Sequence, residues 1–312
     1  MRGIEQLQDV VNRVHEMSAN HYDEVVALQD IEFHSLDHAR VAGQEIVVLP
    51  TAQKLLANRL RVPHSYLSRC PQPLQAENLN HWLKQEQKTR DTFFCRFNGR
   101  QLRAVFTDRY TELDNMEILS RMLGHGFSTT AEVQYIIDGS MMILKMPDYG
   151  KTFGLSRDDK MVPGVTIANS EVGKLAFSIE CFLYRLVCSN GLIATTSVAS
   201  RFKHISKKAL ENFPEILAQV AMETHTNENR LRLSVDTTVD NPVSSINTFN
   251  RQFHIPAEDG EHVVQAWEAD PVYSMFGVIN SYTHAAQFPE VSTGVSYRLE
   301  KAGGMILNMV QR

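Results

Sequence analysis

The 312-residue chain contains no run of about 18 apolar residues, so no segment has the length and apolarity of a membrane-spanning helix. Its first residues, Met1-Arg-Gly-Ile-Glu-Gln6, lack the apolar centre of a secretory leader, and a cytoplasmic location is the expectation. Cysteine is scarce. Cys70, Cys95, Cys181 and Cys188 form no C-x-x-C pair, and reduced core thiols are expected. There is no G-x-S-x-G, no H-E-x-x-H and no Walker A loop, which removes the commonest signatures of serine hydrolases, zinc proteases and P-loop NTPases. Positive charge is not in excess: 31 Lys and Arg against 36 Asp and Glu leave a net charge of −5. A nucleic-acid role therefore requires a local basic groove. Internal repeats and low-complexity segments are absent as well.

What is present is ordinary for a globular protein, with 43% apolar and 21% charged residues. The most informative stretch runs from Met161 to Lys208. Leu175, Phe177, Ile179, Cys181 and Leu183 alternate with residues that begin small or polar, which predicts a half-buried strand. Asn169–Gly173 precedes it as a turn, and Ser189-Asn190-Gly191 follows as a stronger one. A third strand is predicted from Leu192 towards His204, then a helix from Ser206 to about Thr224. The centre thus reads as three antiparallel strands followed by a helix.

Ahead of this core, a helix is predicted over 2–20, with Ile4, Leu7, Val10, Val11 and Val14 on one face. A polar segment follows, then a short strand 44–49, a helix 52–61 capped by Thr51, and a helix 74–88. Asn98-Gly99 between two apolar runs predicts a hairpin over 92–106. Asp114 with Glu117 fits a capping box for a helix 115–123. A second hairpin is expected over 132–146, and a charged, mobile loop over 149–163. The polar 224–241 stretch reads as a bridge. Helices are predicted at 243–253, 258–268, 271–287, with Pro271 in the first turn, and 296–310, where Gly303-Gly304 weakens the pattern. The fold class is α+β: an antiparallel sheet with a strand-strand-strand-helix core, flanked by N-terminal and C-terminal helices. Its parts are a mainly helical region 1–90, a central core 91–225, and a helical region 226–312 packing on that core.

No catalytic or metal constellation stands out. His34-x-x-x-His38 has helical ligand spacing but no third ligand at a suitable distance, and no cofactor or metal is expected. Asp158-Asp159 sits in a charged loop and reads as solvated surface. Positive charge is more telling. Arg96, Arg100, Arg103 and Arg109 interleave with Phe94, Phe97, Phe106 and Tyr110, and Arg185 is followed by Arg201, Lys203, His204, Lys207 and Lys208. Lysines in the first turn of a helix oppose its dipole, but a phosphate there would be held by free N–H groups and both ammonium groups.

Several of these segments carry a resemblance. Asn169-Ser-Glu-Val-Gly173, Arg185-Leu-Val-Cys-Ser-Asn-Gly191, Phe202-Lys-His204 and Arg103–Asn115 resemble the phage/plasmid-like protein family, domain of unknown function nine hundred thirty-two. Val62-Pro-x-x-Tyr66 and Asn78-Leu-Asn80 fit its N-terminal part, so the resemblance spans about residues 45–300. It implies a bacterial cytoplasmic protein of a mobile element and supplies no catalytic residues. The strand-strand-strand-helix order is also similar to single-strand annealing proteins of the Rad, Redβ and Erf type, an analogy of fold.

The expectation drawn from charge and resemblance together is a protein that binds single-stranded DNA and anneals strands without catalytic groups, as a homo-oligomer such as a ring. Arg96, Arg103, Arg109, Arg185, Arg201, Lys203, Lys207 and Lys208 would contact phosphates. Tyr110 would stack on a base, at roughly 1–3 kcal/mol. The alternative is a phage or plasmid interaction protein that binds a host defence or restriction component. A nuclease or other hydrolase, a third class, would need clustered carboxylates or a metal.

Overall fold

The computed structural model describes residues 2–155, 160–185 and 213–311. The chain starts with strand β1 (Arg2–Gln6) and helix α1 (Leu7–Ser18). Strands β2 (His21–Ala27), β3 (Ile31–Phe33), β4 (His38–Val41) and β5 (Gln44–Val48) follow, then helices α2 (Pro50–Arg59), α3 (His64–Leu67) and α4 (Gln72–Glu86). Next come the hairpin β6 (Thr92–Asn98) and β7 (Gln101–Phe106), helix α5 (Asn115–Gly124) and the hairpin β8 (Glu132–Ile137) and β9 (Met142–Pro147). Strands β10 (Phe153–Gly154), β11 (Lys160–Asn169) and β12 (Ser178–Arg185) complete the sheets. The C-terminal helices are α6 (Phe213–Asp236), α7 (Pro242–Gln252), α8 (Ala257–Ala269), α9 (Met275–Ala285) and α10 (Thr293–Met309).

The fold is α+β, with two mainly antiparallel sheets. One has the order β1-β8-β9-β11-β12, with β10 beside the first residues of β11. The other has the order β2-β6-β7-β5-β4-β3, in which β5 and β7 run parallel. The first ninety residues contain the expected helices but also five strands. Residues 2–6 are strand, with Ile4 exposed, and the polar segment 21–43 holds β2, β3 and β4. These strands escape a periodicity test because they lie at sheet edges or are very short; of β2 only Val26 is buried. The second sheet therefore joins residues on both sides of position 90, and β1 pairs with β8.

Each sheet has its own core. In the second, Val26, Phe93, Cys95, Phe97, Leu102 and Val105 pack on Leu56, Leu67, Leu79 and Leu83 of α2, α3 and α4. Asn80 of α4 closes the free edge of β3: the Phe33 amide donates to its Oδ1 and its Nδ2 donates to the Phe33 carbonyl, both at 2.8 Å. In the first sheet, Met142, Leu144, Ile167, Ile179 and Cys181 face Leu7, Val10, Val14, Ile118 and Met122 of α1 and α5. Its other face lies under α10. The half-buried strand predicted at 175–183 is thus a strand buried on both faces, because helices cover both sides. Close packing demands a glycine at 164, where a Cβ would stand 2.3 Å from the Met146 carbonyl oxygen and from the Phe182 ring.

A polar row crosses the face under α10. Gln134, Lys145, Thr166 and Glu180 are registered neighbours on β8, β9, β11 and β12. Lys145 Nζ lies 2.6 Å from Glu300 Oε1, and Lys301 Nζ lies 2.7 Å from Glu180 Oε1, so α10 is tied to the sheet by two ion pairs.

The remaining expectations meet particular corrections. Thr51 does not cap α2; Leu49 is at the N-cap and Pro50 opens the helix. The 224–241 bridge is in large part helix, because α6 runs on to Asp236. The segment 149–163 includes β10 and the start of β11. Pro271 lies outside α9, which begins after Ser274, whose side chain accepts from the Gly277 amide at 3.3 Å. Gly303-Gly304 is inside α10, where the missing side chain at 303 lets the helix approach Thr283 of α9. The third central strand and the start of its helix fall on 186–212, outside the described residues.

Candidate functional site

The face of β6 and β7 turned away from their apolar core carries Arg96 and Arg103. Both were expected to contact phosphate, yet they are only 2% and 5% exposed. A β-bulge between Arg96 and Phe97 sets the register that brings both inward. The Arg96 guanidinium is bonded on three sides. Its Nε donates to Asp23 Oδ1 at 2.9 Å, its Nη1 to the Glu171 carbonyl at 3.0 Å, and its Nη2 to the Asp114 carboxylate. Arg103 Nη2 donates to Glu171 Oε2 at 2.6 Å, and its Nη1 lies 2.9 Å from His21 Nδ1. These arginines are internal ties and not a phosphate-binding surface, because the guanidinium groups are themselves buried and their donors already meet protein acceptors.

Glu171 comes from the turn between β11 and β12. Its Oε1 accepts from the Asn115 amide at 2.9 Å, so it satisfies the first N–H of α5. Asp114 occupies the N-cap position but makes no side-chain cap, because its carboxylate is committed to Arg96. Asn169 adds Nδ2 bonds to the Leu113 carbonyl at 3.0 Å and to Asn115 Oδ1 at 2.8 Å. Gly173 holds φ +75°, and a Cβ there would sit 2.9 Å from the Phe106 ring. Two segments far apart in sequence, 103–115 and 169–173, thus interlock through polar atoms and a close glycine.

Tyr110 lies in the same junction. Its ring stacks on Phe106 with centroids 3.7 Å apart and planes 3° apart, and Phe94 lies 5.5 Å away. Its hydroxyl donates to the Glu171 carbonyl at 3.4 Å. Burial pushes the phenol up to about 12. Stacking on Phe106 commits one face of the ring to a protein aromatic. Burial opposes ionisation of Glu171, but the Arg103 charge and hydrogen bond, the Asn115 amide and Arg96 hold its carboxyl below the usual range.

Residues 103–245 match the family model described as Domain of unknown function (DUF932). No curated protein and no solved structure matches the chain. The DUF932 segment starts at Arg103 and contains Asn115, Asn169 and Glu171, while His21, Asp23 and Arg96 lie before it.

Of the other expected residues, Arg109 and Arg185 are described, and they lie apart from the bonds named above. Arg109 is exposed on the 107–114 connection. Arg185 is registered with Met161 at the far end of the β11–β12 pair, roughly 27 Å from Asn169 at about 3.4 Å per residue. There its Nη1 lies 3.4 Å from Asn280 Oδ1 and its guanidinium lies over the Phe276 ring. Arg201, Lys203, Lys207 and Lys208 fall outside the described residues. Conversely, sequence reasoning missed His21, Asp23, Asn115 and Glu171. Asn115 and Glu171 had a signal, as members of the two segments that carry the resemblance, whereas His21 and Asp23 had none.

His21 makes the junction pH-sensitive. Arginine can only donate, so Nδ1 accepts from Arg103 and the ring proton is on Nε2. Burial, followed by the Arg103 charge, holds the His21 pKa below the ordinary 6.5, against the opposing pull of Glu171. Above about pH 6.5 the ring is neutral in folded and unfolded chains alike. As pH falls below that value the unfolded chain takes up the proton first, so the stability contributed by neutral His21 is lost. The melting temperature is expected to decline from about pH 7 to about pH 5, more steeply in the wild type than in His21→Gln. Equal slopes in a pH series of thermal melts would show that His21 contributes nothing to the decline.

Proposed function

We propose that the chain binds single-stranded DNA and anneals complementary strands, as a multi-copy assembly in the setting of a phage or other mobile element. One observation carries the reading: Arg201, Lys203, Lys207 and Lys208 lie within eight residues just ahead of α6. Arg109 adds an exposed cation. With Arg96 and Arg103 committed to internal carboxylates, these five form the contact set. The acidic net charge is compatible with this, because affinity for a strand depends on the local groove.

Four or five phosphate contacts on a single strand give a slope of roughly −3 for log affinity against log salt. Fluorescence anisotropy with a labelled oligonucleotide at low and moderate salt measures it, and mass photometry on the same sample reads the assembly. Arg201→Ala/Lys203→Ala/Lys207→Ala is expected to weaken binding by about tenfold or more. A loss of no more than about twofold, or no binding at low salt, overturns the reading.

A further inference from the structure

Beside the Arg103–Glu171 pair, a cavity of about 370 Å³ opens between the β6–β7 and β8–β9 turns. Its volume falls near the lower end for small-molecule sites, which suits one ring system and not a polymer. Its apolar lining includes Met17, Ile137 and Met141, and its polar lining includes His21, Asn98, Gln101, Arg103 and Ser140.

Charge narrows the ligand class. Arg103 is neutralised by Glu171, and His21 is a neutral ring with its proton on Nε2. The nearby Asp138 carboxylate already accepts from the Ser140 amide and hydroxyl at 2.7 and 2.6 Å, and from the Met141 amide at 3.0 Å. Asp138 is itself part of the lining, so the cavity offers hydrogen-bonding groups with one negative charge in surplus and no surplus of positive charge, which favours a base over a phosphate. The primary amides of Asn98 and Gln101 each pair a donor with an acceptor, the pattern that reads the edge of a nucleobase. Thioethers such as those of Met17 and Met141 make favourable contacts with aromatic rings.

We propose that this cavity binds a nucleobase. The base belongs either to a free nucleoside or to one nucleotide of a bound strand; the second source rests on the single-strand reading, the first does not. Gln101 is exposed at the end of its strand, so Gln101→Ala leaves the fold intact. Isothermal titration with adenosine, guanosine, cytidine and uridine at millimolar concentration tests the first source. At least one nucleoside is expected to bind, and Gln101→Ala is expected to weaken it by roughly tenfold. For the second source, Gln101→Ala is expected to weaken a normal oligonucleotide but not an abasic one of equal length. No heat with any nucleoside, together with equal oligonucleotide affinities for wild type and Gln101→Ala, overturns the proposal. Loss of strand binding only in the Arg201, Lys203 and Lys207 variant bears on the basic run and not on the cavity.

Discussion

Glu171→Ala is expected to lower the unfolding free energy by about 3–5 kcal/mol, because it leaves a buried arginine without its counter-charge. Arg103 and Glu171 side chains are each only 6% exposed, so water from the adjacent cavity replaces the lost carboxylate only in part. The same change removes the acceptor for the Asn115 amide at the start of α5. Glu171→Gln keeps acceptor and shape while removing the charge, and a smaller loss of about 1–3 kcal/mol is expected. Replacing both partners, as Arg103→Leu/Glu171→Leu, is expected to recover stability relative to Glu171→Ala, since no uncompensated charge remains. Urea melts of the four proteins give these values directly. A Glu171→Ala protein within about 1 kcal/mol of wild type would mean that the polar junction does not hold the two sheets together.

Lys145→Met carries a comparable expectation, about 3–5 kcal/mol, at the opposite face of the first sheet. Glu300 is fully buried and its Oε1 lies 2.6 Å from the lysine ammonium. Without Lys145 the remaining neighbour on that oxygen is Gln287 Nε2 at 3.3 Å, a neutral donor. Lys145→Met/Glu300→Leu is expected to be more stable than Lys145→Met. The two tryptophans report separate parts of the fold, Trp82 on α4 and Trp267 on α8, whose core includes Leu299 and Ile306 of α10. If α10 loosens first, emission from Trp267 changes at lower urea than that from Trp82, read by Trp82→Phe and Trp267→Phe variants. Coincident transitions at wild-type urea concentration would rule out the ion pair as a tie between α10 and the sheet.

Much of the fold was legible wherever a local signal was strong. Asn98-Gly99 forms its hairpin turn, with φ +53° at Gly99. The helices α7, α8 and α10 fall close to their expected positions because their apolar faces repeat at helical spacing. The strands β2, β3 and β4 were not legible: β2 is an edge strand with one buried side chain, and β3 and β4, of three and four residues, are too short for a period-two pattern to stand out. The arginines failed for a different reason. Alternation along β6 and β7 reveals that two faces exist, but not what covers the second. The acceptors of Arg96 are Asp23, 73 residues back, and groups 18 and 75 residues ahead. No window of sequence contains that network, so a buried tie and a surface cation look alike until the chain is folded.

The pairing of β1 with β8 bears on how this molecule can be divided. Arg2–Gln6 is registered against Glu132–Ile136, so a sheet edge inside the matched stretch is closed by the first residues of the chain. An excised 103–245 fragment would present the bare backbone of β8, lose Leu7, Val10 and Val14 from above its sheet, and leave Lys145 without Glu300. Such an unpaired edge invites strand addition from another copy. The boundaries of similarity are not the boundaries of autonomous folding, and β1 stays unpaired in a nascent chain until Ile136 has been made.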